Sequence, residues 1–219
     1  MSFSRGIQLK EKILLLIKEQ HSTYSPKINT FMNISNDAFD LARLVAITKQ
    51  KLHWINESLQ YALKHDEALL LARSTKLYME HLSGISYILC NCAIMETSPH
   101  AFKRTYQSVY YYTLFNSASI AGMNLEFINI TKMVSTLYPK ANKDYNYIND
   151  FTHPYFGSNF IALSEEESNQ FEIYRHLDRE RQITKVYVIL QTVMKKRDDY
   201  FNQIGELILD YDRIIQSTK

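Results

Sequence analysis

Only five glycines and four prolines are spread over 219 residues. A β-sandwich or barrel needs such residues at frequent turns, so a chain this poor in both builds long uninterrupted elements, and those read as helices. Hydrophobic residues make up 46% of the sequence, enough for one substantial core, and the length suits one domain better than two. The expected fold is therefore all-α, an up-and-down helical bundle forming a single domain over 1–219.

The pattern along the chain divides this domain into segments. An N-terminal helix over 7–20 sets Ile7, Ile13, Leu14 and Ile17 at three- and four-residue spacing among lysines and glutamates. The bundle proper spans about 36–154. Asn36 or Asp37 caps a long helix to about Lys64, and a third helix from Glu67 to Met95, apolar on more than one side, takes the centre of the fold. Ser98 followed by Pro99 starts a fourth helix through Tyr112. Helical periodicity returns over Leu125 to Leu137, and a short helix from Ala141 to Thr152 ends at His153 and Pro154. Within an insert over 155–177, residues 158–175 read as a short β-hairpin built from Phe160–Leu163 and Phe171–Tyr174. Asp178 then caps a last long helix over 178–216.

Several function classes are disfavoured by what the chain lacks. Lys and Arg total 25 against 23 acidic residues, so a nucleic-acid site has to be local and not a general positive surface. Cys90 and Cys92 point about 200° apart around a helix and cannot readily bridge, which predicts reduced, buried thiols. Neither an export leader nor about 18 consecutive apolar residues is present, so a cytoplasmic protein without membrane contact is expected. His53 and Glu57 lie one helical turn apart, but two ligands are half a metal site, and no His-Glu-x-x-His run or paired Glu-x-x-His helices occur. With no Gly-x-Ser-x-Gly elbow and too few glycines for a phosphate loop or dinucleotide fingerprint, neither a metal nor a cofactor is expected.

Two segments concentrate chemistry. The first runs Tyr145-Asn146-Tyr147-Ile148-Asn149-Asp150-Phe151-Thr152-His153-Pro154. His153 ends the short helix, where the negative end of the dipole favours imidazolium, so it reads as a general acid, a phosphate-facing cation, or a side chain that bonds the last free carbonyls. The second is Arg73 on the apolar third helix, expected to be buried and therefore to need a partner, either Glu80 two turns along through a third group or Asp150 from the short helix. An internal ion pair and a functional charge are both open there.

Together, Leu71-Ala72-Arg73-Ser74-Thr75-Lys76-Leu77-Tyr78-Met79-Glu80 and the Tyr-x-x-Ile-Asn-Asp-Phe-Thr-His-Pro segment resemble a bacterial branch of the HEPN-like helical proteins, over roughly Glu67 to the final helix. The resemblance implies a bundle, often a homodimer, in which an Arg-x4-6-His motif lines a cleft that cuts RNA without a metal. His153 matches the histidine. The arginine positions hold Asn146, Tyr147 and Ile148, so Arg73 from a neighbouring helix is the expected substitute, with Asn149, Asp150, Tyr147 and Glu80 as binding companions. The implied role is RNA cleavage, or RNA or nucleotide binding, in bacterial stress or phage defence. The rival reading is a catalytically inert protein–protein interaction module, for which 16 tyrosines supply large rings with polar tips.

Overall fold

The computed structural model describes residues 2–22, 34–115, 128–152 and 179–218. Among them every regular element is helical, and the fold is an all-α helical bundle: α1 (Ser2–Ser22), α2 (Asn36–His65), α3 (Ala68–Cys90), α4 (Ile94–Thr97), α5 (Pro99–Phe115), α6 (Ile130–Val134), α7 (Ala141–Thr152), α8 (Arg179–Met194) and α9 (Arg197–Ser217). No helix among the described residues is long and apolar enough to cross a membrane. The predicted hairpin over 158–175 and the Asp178 cap lie outside the described residues.

The chain forms two compact units, one of Met1–Tyr24, His53–Met79 and Asn142–Lys195, the other of Ser25–Leu52, Glu80–Ala141 and Lys196–Lys219. In the first unit α1 packs along α8. Ile13 and Ile17 on α1, and Val186, Ile189, Leu190 and Val193 on α8, recur at helical spacing and are buried. Gln20 sits in this core, donating from Nε2 to the Met194 carbonyl at 3.2 Å and accepting from Asn56 Nδ2 at 3.0 Å and Tyr78 Oη at 2.9 Å. Each of those donors, left alone, would cost about 1–3 kcal/mol, so the amide secures the register of helices that apolar packing alone leaves free to slide. The α2–α3 turn closes with Asp66 in the left-handed region (φ 55°) and the Glu67 amide donating to the Ala62 carbonyl at 2.9 Å, the hydrogen bond that ends a Schellman-type helix terminus.

The second unit is centred on aromatic rings. Phe102 and Tyr106 of α5 and Tyr211 of α9 meet edge to face with centroids 5.0–6.0 Å apart. Both hydroxyls are used, Tyr106 donating to the Asp37 carbonyl at 3.0 Å and Tyr211 to the Pro99 carbonyl at 3.2 Å. Asp37 in turn accepts from Lys103 Nζ at 2.6 Å.

Five local expectations are corrected. The α2 cap is Ser35, whose Oγ accepts from the Ala38 amide at 3.4 Å, leaving Asp37 free for Lys103. The third helix stops at Cys90 and not at Met95, and Asn91 Nδ2 donates to the Tyr87 carbonyl there at 2.7 Å, an asparagine satisfying the open end of the helix. Because the thiols fall at this terminus and not mid-helix, Cys90 is exposed and Cys92 half-buried, both free and neither sealed in the core. The long final helix is interrupted at Lys195 and Lys196, with Asp198 and Asp199 in the first turn of α9, where the positive end of the dipole favours them. Of the stretch 125–137, the described part holds only the five-residue α6, capped by Asn129 Oδ1 accepting from the Thr131 amide at 2.8 Å.

Candidate functional site

The site grows from α7, whose sequence ANKDYNYINDFT buries Tyr145, Ile148 and Phe151 at three-residue steps and leaves Asn146 and Asp150 exposed. Phe151 packs on Ala68 and Ala72 of α3, flanked by Leu69, Tyr147 and Ile183. The small alanines let α7 approach α3 closely enough for one ring to fill the gap. Tyr147 meets Phe151 edge on, with centroids 4.9 Å apart, and its hydroxyl donates to Gln182 Oε1. Lys185 Nζ lies 3.3 Å from the centre of the Tyr147 ring.

These surroundings decide what each predicted residue can do. Burial pushes the Tyr147 phenol above its ordinary value, Arg181 opposing and Asp150 reinforcing the shift, so its proton stays in place and serves the Gln182 bond. Desolvation lowers Lys185, as does Lys143, against the opposing pull of Asp144 and Asp150. Asp150 thus lies near enough to the Lys185 ammonium of α8 to act on it. Asn149 is half-buried, and its Oδ1 is a buried acceptor without a donor among the described residues. Thr152, the last residue of α7, donates from Oγ1 to the Asn149 carbonyl at 3.3 Å.

Arg73 is exposed, which overturns the expectation of a buried arginine. The buried face of α3 runs through Leu71, Ala72, Ser74, Thr75, Tyr78 and Met79, and the helical turn carries Arg73 and Leu77 outward between them. No ion pair joins Arg73 to Asp150 or Glu80 among the described residues, and half-buried Glu80 belongs to the other unit. The buried arginine among the described residues is Arg197, 5% exposed, paired with Asp198 at 2.7 Å and set 5.4 Å from the Phe201 ring. Its position at the start of α9 carried no sequence signal separating it from surface arginines. The α8 residues Gln182 and Lys185, which converge on Tyr147, were likewise not singled out, since only tertiary packing joins them to α7.

His153 lies outside the described residues, so the structure brings Tyr147 and Phe151 together with Ala68, Leu69 and Ala72 of α3, with Asn149 and Asp150 on the same short helix, and no contact joins Arg73 to this cluster among the described residues. His53 Nε2 stands 3.7 Å from Glu57 Oε1, and its ring meets that of His21 at 4.4 Å. No group of three His, Cys, Asp or Glu side chains suited to a metal occurs among the described residues. No protein-family model matches the chain, and no curated protein or solved structure matches it.

Proposed function

We propose that this chain is a HEPN-like helical protein that binds RNA and cuts it without a metal, as part of bacterial stress or phage defence. In this reading His153 is the acid–base group and Arg73 the cation that meets the scissile phosphate. The observation that carries it is the seating of Phe151 on Ala68 and Ala72, which joins the last turn of α7 to the α3 residues immediately before Arg73. An exposed guanidinium with no ion pair among the described residues suits a phosphate arriving from solvent better than one committed to an internal carboxylate. Asn149 Oδ1, without a donor among the described residues, adds a buried acceptor on the same helix for an imidazolium or a ribose hydroxyl.

The test is cleavage of a pool of labelled RNAs in EDTA by the parent, His153→Ala and Arg73→Ala at equal helix content. Cleavage by the parent should fall about 10²–10⁴-fold in His153→Ala, the range for losing a positioned proton-transfer group. A parent that cuts no RNA, or a His153→Ala variant as active as the parent, removes the proposal.

One observation favours the interaction reading. Trp54 and Tyr61, seven residues apart on α2, are 55% and 53% exposed. Two large rings on one helical stripe are the anchors a self-association surface uses. Sedimentation of the parent against Trp54→Ser tests it, with a dimer that dissociates in the variant as the supporting result and a monomeric parent as the refuting one.

A further inference from the structure

In the second unit, Arg197 is a buried cation whose bonding is incomplete. Its Nη1 donates to Asp198 Oδ1 at 2.7 Å, but its Nε is a buried donor without an acceptor among the described residues. Asp198 is itself exposed, so the carboxylate on this guanidinium stays largely in water and compensates it weakly. A second cation converges on the same place. Lys49 Nζ of α2 lies 5.1 Å, and the Arg197 guanidinium carbon 5.4 Å, from the centre of the Phe201 ring. Lys49 is half-buried and makes no ion pair among the described residues. Burial and then the Arg197 charge lower its pKa, against the opposing pull of Asp198. Because α9 begins at Arg197, the positive end of its dipole falls here too, and its N-cap, Lys196, makes no side-chain cap hydrogen bond to the first turn.

We infer that Lys49 and Arg197, beside the Phe201 ring at the start of α9, hold the terminal phosphate of a small phosphate monoester. A monoester, with its second pKa at about 6, is a dianion at neutral pH and answers both cations. The guanidinium offers the Nε and Nη2 edge that Asp198 leaves open, a fork suited to two phosphate oxygens, and the ammonium acts as a point charge. Lys49, half-buried on a flexible stem, is the group that swings to admit the ligand. A carboxylate brings one charge, which Asp198 already supplies. A phosphodiester also brings one charge and is substituted on two sides, whereas a buried guanidinium admits only a terminal group. His153 and Arg73, assigned to RNA cleavage, belong to the first unit, so this site stands or falls apart from that reading.

The experiment is calorimetric titration of the full chain with methyl phosphate, and with dimethyl phosphate as the diester control. Replacing the buried Arg197 endangers the start of α9, so the half-buried Lys49 and the exposed Asp198 carry the test. Methyl phosphate should bind saturably to the parent and about tenfold or more weakly to Lys49→Met, which keeps the stem and loses the charge, since a charge-assisted contact is worth at least that factor. Lys49→Arg should restore binding. Asp198→Asn should bind more tightly than the parent, because it removes the carboxylate that competes for the guanidinium. Dimethyl phosphate should not bind saturably. No saturable binding to the parent overturns the proposal, as does undiminished binding to Lys49→Met, which places the phosphate elsewhere. Asp198→Asn that binds no more tightly removes the guanidinium from the site, and equal binding of dimethyl phosphate removes the monoester. Circular dichroism confirms folding of each variant, and if Lys49→Met loses its helices, Asp198→Asn decides alone.

Discussion

His81 shows how one side chain on α3 acquires a property its sequence position does not announce. It is half-buried, its Nδ1 is buried without a partner among the described residues, and desolvation together with the nearby Lys51 ammonium lowers its pKa to about 4. The folded protein therefore holds the ring neutral down to about pH 4, while the unfolded chain takes up a proton near pH 6.5. Stability from this residue is present above pH 6.5 and is lost as pH falls towards 4, because the unfolded state then binds more protons. Urea midpoints measured between pH 7 and pH 4 should decline in the parent and decline less in His81→Gln; equal slopes would show that other groups carry the acid sensitivity. Arg73, on the same helix, is exposed instead.

At the scale of elements, helical period and the neighbouring caps account for most of what formed. The predicted bounds of α7, Ala141 to Thr152, are those observed, because Pro139 precedes the helix and Pro154 follows it. The predicted single last helix is instead α8 and α9, since apolar periodicity continues through Lys195 and Lys196 and conceals the break. Within α9, Gly205 lies mid-helix with nothing within 4 Å of a built Cβ. Its backbone freedom serves no close approach, so Gly205→Ala should raise stability by about 0.5–1 kcal/mol, the difference in helix propensity between the two residues. A urea midpoint that falls in this variant would mean that the added methyl group is not accommodated.

At the scale of the whole chain, the two compact units are made of interleaved segments, and α2 and α3 each contribute residues to both. A helix held at both ends by different cores couples their unfolding, because melting either core frays the helix it shares. Trp54, the only tryptophan of the sequence, reports on the first unit, and a dye on the exposed Cys90, with Cys92→Ser, reports on the second. The two signals should give one midpoint in a urea titration, and separated midpoints would show that the units unfold independently.

Scarcity of glycine and proline dictated a helical fold, and local periodicity placed α1, α2, α5 and α7, since backbone hydrogen bonding and side-chain period act over a few residues and are written in consecutive positions. The candidate site was legible only in part. The polar cluster on α7 stands out as a string, but which arginine is buried depends on where a helix face meets another chain segment, and this left Arg73 exposed and buried Arg197, on which the sequence carried no signal. Packing alone brought Phe151 onto Ala72, Lys185 over Tyr147, and Lys10 to Asp66 across 56 residues, because contacts between distant segments follow from the shapes of complete helices and leave no local pattern to read.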